Sequence, residues 1–184
     1  LNDPEGSVRY RARAGAHTTD VRFVDTGEID ARGERSAGLE LAYQDGPLHI
    51  STEGYWQKVL RVGGPNPTFF GGYAEAGLVL TKGDKRSYRE GVFDRLRPSK
   101  PLGKGGMGAI EVNARYDYLN LNAADIVGGK QQAAWLSAVW APIDYVRVTA
   151  NIGRVWVDDS RETTIGGDSD YAANVMGLRT HIDF

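Results

Sequence analysis

Three arginines stand at alternate positions in Val8-Arg9-Tyr10-Arg11-Ala12-Arg13-Ala14-Gly15. Side chains of an extended chain alternate between faces, so one face of this stretch is all guanidinium and the other carries Val8, Tyr10, Ala12 and Ala14. Arginine stays charged at every relevant pH and its planar fork suits phosphate oxygens. Guanidiniums about 6.5 to 7 Å apart can therefore pass an oxyanion from one to the next. A plainer use of the same residues is to pair with inward acids such as Glu40, Glu53 and Glu75 and only brace a wall. A second constellation is His49 with Ser51, two apart and so on one face, with Asn113 as a third member of a hydrolytic set. Alternation puts that set on the polar face, away from any lipid substrate, so no catalysis is expected. His17 and His181 show no ligand spacing beyond Asp183, and the chain has no Cys, so neither a metal nor a cofactor is expected.

The elements that would position these residues repeat the same period of two. Ala37, Leu39, Leu41 and Tyr43 alternate with Gly38, Glu40, Ala42 and Gln44; after the turn Asp45-Gly46-Pro47, Leu48, Ile50 and Thr52 oppose His49, Ser51 and Glu53. Phe70, Ala74, Ala76, Leu78 and Leu80 oppose Tyr73, Glu75 and Thr81. The cleanest alternation sets Ile110, Val112, Ala114, Tyr116 and Tyr118 against Glu111, Asn113, Arg115 and Asp117. Further strands follow at 131–140, 146–152 and 173–184, giving about eight and no helical period. By this alternation Arg22, Arg115, Arg147 and Arg179 point inward, and Asp117 and Asp183 are the expected partners of Arg115 and Arg179. The stretches 17–36, 56–67, 121–130 and 158–170 read as long loops, whereas 45–47 and 141–144 read as short turns. The longest irregular stretch, 82–108, carries Lys82, Lys85, Arg86, Arg89, Arg95, Arg97, Lys100 and Lys104 against Asp84, Glu90 and Asp94, a local charge of +5.

At 184 residues with 24 Gly and a net charge of -2, the chain predicts one domain, or part of one, with no bias toward nucleic acid. No run of ~18 apolar residues exists to make a membrane helix. Barrel strands alternate and leave hydropathy low, so a mean of -0.42 does not argue against a membrane address. Strands of about 9 to 12 residues, loops that alternate long and short, and Tyr or Trp near strand ends favour an outer-membrane barrel over a soluble sandwich. Within such a barrel each arginine turned to lipid near the midplane would cost about 2 to 4 kcal/mol, which directs Arg9, Arg11 and Arg13 to the lumen. The start of the chain has neither a basic n-region nor an apolar h-region, so any export signal has been removed or lies further upstream.

Phe23-Val24-Asp25-Thr26-Gly27, Gly38-Leu39-Glu40-Leu41-Ala42, Gly46-Pro47 leading to Glu53-Gly54-Tyr55, Leu80-Thr81-Lys82-Gly83, Arg115-Tyr116-Asp117-Tyr118-Leu119-Asn120-Leu121 and the terminal Ile182-Asp183-Phe184 carry a resemblance. The chain resembles the C-terminal part of the phosphate-selective porin O/P family of bacterial outer membranes. The resemblance implies an all-β fold, a transmembrane antiparallel β-barrel in which 1–184 is the C-terminal half of a barrel of about 16 strands with no separate domains. Eight strands closing alone would leave a filled interior, where each of the three arginines would need an acid. The implied activity is passive diffusion of inorganic anions, phosphate or polyphosphate, by a homotrimer in outer-membrane lipid, with no enzyme chemistry. The alternative is a general non-selective porin or a scaffold barrel.

The terminal Phe resembles the barrel-assembly signal and sets an orientation in which 45–47, 82–108 and 141–144 are periplasmic. The family's arginine ladder maps onto Arg9, Arg11 and Arg13, with Arg22 and Arg147 as further pore-lining residues. The basic turn then either folds into the lumen, bringing Lys82, Lys85, Arg86, Arg89, Arg95 and Arg97 to the inner mouth, or stays a solvated flexible turn.

Overall fold

Alternation extends further along the chain than its turn residues suggest. In the computed structural model, which describes residues 6–13, 15 and 19–183, every regular element is a strand. The long strands are β4 (Ile29–Asp45), β5 (Leu48–Arg61), β6 (Thr68–Val79), β9 (Ala109–Ala123), β10 (Ile126–Ile143), β11 (Val146–Asp158) and β12 (Tyr171–Ile182). With the short β1 (Gly6–Val8) they form one antiparallel sheet in the order β1-β4-β5-β6-β9-β10-β11-β12. Two small pairs stand outside it: β2 (Arg11–Ala12) with β3 (Val24–Asp25), and β7 (Tyr88–Arg89) with β8 (Val92–Phe93). The sheet curls into a half-barrel and stays open at β1 and β12, so these strands do not close into a small barrel of their own. Ala14, His17 and Phe184 lie outside the described residues.

The long strands run from 12 to 18 residues, because pairing continues into stretches whose composition reads as loop. Ile29 and Ala31 are buried at the start of β4, inside the expected loop 17–36, and β5 carries on to Arg61 inside the expected loop 56–67. The expected long loop 121–130 shrinks to the two residues Ala124 and Asp125 between β9 and β10, with Ala124 at a φ of 56°. Every backbone N–H and C=O in such a wall needs a partner, and the ladder supplies it whatever the side chains suggest.

Register fixes what each face shows. Ala76, Ala114, Leu136, Ile152 and Met176 stand side by side across five strands on the convex face. One residue along, Gly77, Asn113, Ser137, Asn151 and Gly177 make the facing row on the concave side. The convex face exposes Leu39, Leu41, Leu78, Leu136, Ile152 and Leu178. It ends in Trp56, Phe70, Tyr116 and Trp156 toward the Ala124 end, and in Tyr43, Trp140 and Tyr145 toward the Gly46 end. An exposed apolar belt between two aromatic girdles is the surface a bilayer covers.

Residues 9–13, which carry the three arginines, are not part of the wall. After β1 the chain leaves the sheet and folds over the concave face, where Val8, Tyr10, Ala12 and Phe23 pack on Val59, Phe69, Leu121, Ala133, Val155 and Val157. The concave face is apolar near the Ala124 end, so the alternating apolar side finds a protein core there instead of lipid. Val24 is fully buried and β3 lies against β10. Backbone bonds Thr26 N–H to Tyr10 O (2.9 Å) and Phe23 N–H to Ala12 O (3.1 Å) tie the small pair together.

At the Gly46 end the segment 82–108 is pinned as well. Leu96 is buried with Val79, Ala109, Val139 and Ala141, and the Asp84 carboxylate accepts the Ser99 backbone N–H at 2.7 Å. Burial opposes that carboxylate, but the hydrogen bonds from Ser99 and Thr81 outweigh it and hold Asp84 below the usual carboxylate range.

Candidate functional site

The concave face sorts its arginines into paired and unpaired groups. Arg9 is paired: its Nε donates to Asp25 Oδ1 at 2.8 Å, and the same oxygen accepts the Gly27 N–H at 2.8 Å. The guanidinium keeps the Asp25 carboxyl below its ordinary pKa, against burial, which pushes it up. Arg13 reaches Asp20 at 3.4 Å, and Arg22 donates to the Asp20 carbonyl at 2.8 Å. Arg11 is exposed and has no carboxylate partner among the described residues. The loop after β11 holds this inward-folded segment: Ser160 Oγ donates to Phe23 O at 2.6 Å and Arg161 to Thr26 O at 3.0 Å.

Midway along the wall, Arg115 is fully engaged. Its guanidinium lies 3.7 Å from the Tyr73 ring centre and pairs with Asp117 at 2.8 Å and Glu75 at 3.5 Å. Tyr73 in turn donates its hydroxyl to Glu53 at 2.6 Å. A cavity of about 680 Å³ lies here, with Arg13, Glu53, Asp117 and Gln131 in its lining, and its charge is mixed.

The adjoining cavity, about 690 Å³, differs in sign. Arg147, Arg179 and His181 line it beside Thr149 and Asn151. Register sets Arg147 opposite His181 and Thr149 opposite Arg179, and Arg147 Nη2 donates to His181 Nδ1 at 3.4 Å. Neither arginine has a carboxylate partner among the described residues. The expected Arg179–Asp183 pair does not form, because Asp183 is taken by Arg95 of the 82–108 segment at 2.7 Å.

From that segment Arg86 is the cation that enters the cavity. Its Nε and Nη2 each donate to Glu111 at 2.7 Å, and Glu111 is fully buried. Gln44 donates to the Arg86 carbonyl, and Phe93 sits 5.1 Å from the His49 ring. Burial works against the Arg86 charge, yet the Glu111 carboxylate more than compensates and raises its pKa. Lys82, Lys85 and Arg89 are exposed, and Arg97 pairs with Asp94 at 3.5 Å.

His49 is buried under Phe93, and its strand neighbour Ser51 faces Glu75 across the ladder. Asn113 donates to Glu111 at 2.9 Å, so these residues serve a structural cluster. Sequence reasoning missed the Arg86–Glu111 tie. Its signal was present: an acid facing inward in β9, with an unassigned basic segment attached to the same strand.

What the arrangement offers is a curved wall, apolar outside, whose inner face presents cations to solvent. The model of the phosphate-selective porin O and P family matches residues 4–184. A protein of Caulobacter vibrioides described as uncharacterized is 47% identical over 182 residues, which is 98% of this chain and 36% of that protein. The chain thus spans about a third of the length of that curated relative. An open antiparallel sheet with a lipid-facing exterior and a charged interior, matched over essentially all its residues, belongs to the phosphate-selective porin O and P family.

Proposed function

We propose that this chain forms part of the wall of a bacterial outer-membrane channel, one barrel domain of about 16 strands, through which inorganic anions diffuse passively, phosphate or polyphosphate among them. The observation that supports the anion preference is the Arg147–Arg179–His181 group, which lines the interior with no salt bridge to either arginine among the described residues; Glu75, an acid on the same cavity, is paired with Arg115. Rows of Arg and Lys are how anion pores select, and a cationic lining with low-dielectric walls raises the local anion concentration. Arg9 and Arg13, each beside an aspartate, act more as braces of the inward-folded segment than as free steps of a ladder, whereas Arg11 and Arg22 remain available to passing anions. In the orientation adopted here the Gly46 end faces the periplasm and Arg86 narrows the inner mouth. Assembly as a homotrimer in outer-membrane lipid is part of the same reading.

The test is the zero-current potential of the full-length protein in a planar bilayer under a KCl gradient. Chloride preference is the expected result; cation preference, or none, would return the chain to a general diffusion porin.

A further inference from the structure

The last turn of the 82–108 segment carries exposed apolar side chains next to the convex-face residue Trp140. This turn, 100–107, packs on the rim: Leu102 N–H donates to Pro142 O at 2.8 Å, and Gly108 N–H to Lys100 O at 3.1 Å. A side chain at Gly106 would fall 2.0 Å from Lys100 O, so only glycine lets the turn close this tightly. Trp140, on the convex face, donates its indole N–H to Met107 O at 2.8 Å and so joins the turn to the girdle. Fixed in this way, the turn exposes two large apolar side chains, Leu102 at 52% and Met107 at 58%, next to Trp140 and Pro142 of a rim on which Ile143 and Tyr145 are exposed as well. Lys100 and Lys104 are exposed on the same turn and pair with no acid among the described residues.

Apolar side chains continuous with an interfacial aromatic belt, flanked by unpaired lysines, match the boundary between acyl chains and headgroups. The lysines select the sign of that headgroup. We infer that the turn 100–107 is a lipid-anchoring site for an anionic phospholipid of the leaflet at the Gly46 end, with Leu102 and Met107 among the acyl chains and Lys100 and Lys104 on the headgroup phosphate. The inference rests on the barrel reading above and on no property of the channel interior.

Each lysine near a charged surface contributes about a fivefold preference, so the pair gives roughly 25-fold at low salt. The experiment is native mass spectrometry of the full-length protein released from micelles containing equal phosphatidylglycerol and phosphatidylethanolamine. The wild type should retain phosphatidylglycerol preferentially. Lys100→Gln/Lys104→Gln should bring the ratio close to one, while Lys130→Gln, which removes an outward lysine from the opposite rim, should leave it unchanged. Heat-modifiable mobility of each variant confirms the folded barrel. No preference in the wild type, or a preference that survives the double substitution, overturns the site while leaving the barrel reading intact. A protein that stays soluble without detergent and carries neither lipid would instead sink the barrel reading.

Discussion

Removing Arg86 should release the 82–108 segment from the inner face. Glu111 is fully buried and its two oxygens are held by Arg86 at 2.7 Å each, so Arg86→Ala leaves a buried carboxylate with only the Asn113 amide as a hydrogen-bond donor. Breaking a buried pair from one side costs about 3 to 5 kcal/mol. Undocking the segment lets water reach Glu111, so that cost favours the undocked state by roughly two to three and a half powers of ten. The assay is trypsin cleavage of the folded full-length protein in detergent, since Lys85, Arg89 and Arg95 lie in the segment, each followed by a residue other than proline, and the paired barrel strands resist attack. Cleavage of a transiently opened segment follows its equilibrium population, so Arg86→Ala should be cut at least ~100-fold faster than wild type. Arg86→Met/Glu111→Leu, which replaces the pair by apolar groups, should stay near the wild-type rate. A cleavage rate for Arg86→Ala within about twofold of wild type would refute the latch. Loss of the heat-modifiable barrel along with the segment would show that the pair holds the wall instead.

Two further outcomes follow from the same contacts. A Cβ at Gly153 would lie 2.0 Å from the Trp135 ring, so Gly153→Ala should destabilise the barrel by about 1 to 3 kcal/mol, seen as a lower heat-modification temperature, and Trp135→Leu should restore part of it. Asp25 has a folded pKa depressed by Arg9, so its contribution is complete above the ordinary aspartate range and is lost as pH falls through the lower folded value. Proteolysis of segment 9–28 should therefore be flat from neutral pH down to about 5 and rise only in stronger acid, and Asp25→Asn should abolish that rise.

Most of the wall was legible because a half-buried antiparallel sheet imposes a period of two that turn residues interrupt. The faces of β9 follow the sequence pattern residue by residue, and Asp45-Gly46-Pro47 marks the β4–β5 turn. The stretch 8–15 shows where the pattern is blind. Alternation says that Tyr10 and Ala12 share an apolar face, but not whether lipid or the apolar patch around Phe69 and Leu121 covers it. Strand ends were too short in the reading because polar residues such as Asp30 and Lys58 remain compatible with ladder pairing at a wet rim. Charge partners were the least legible part. Asp183 sits four residues from Arg179 on one face yet bonds Arg95, 88 positions away, because the 82–108 segment folds back across the rim.

The sign of the permeating ion is proposed to be set by the unpaired interior cations on β11 and β12. This is tested most directly by the zero-current potential of Arg147→Ala/Arg179→Ala beside wild type in the same KCl gradient. The expected result is an anion-preferring wild type whose potential moves toward zero in the variant with the barrel still folded. An unchanged potential, or a wild type that already prefers cations, would contradict it.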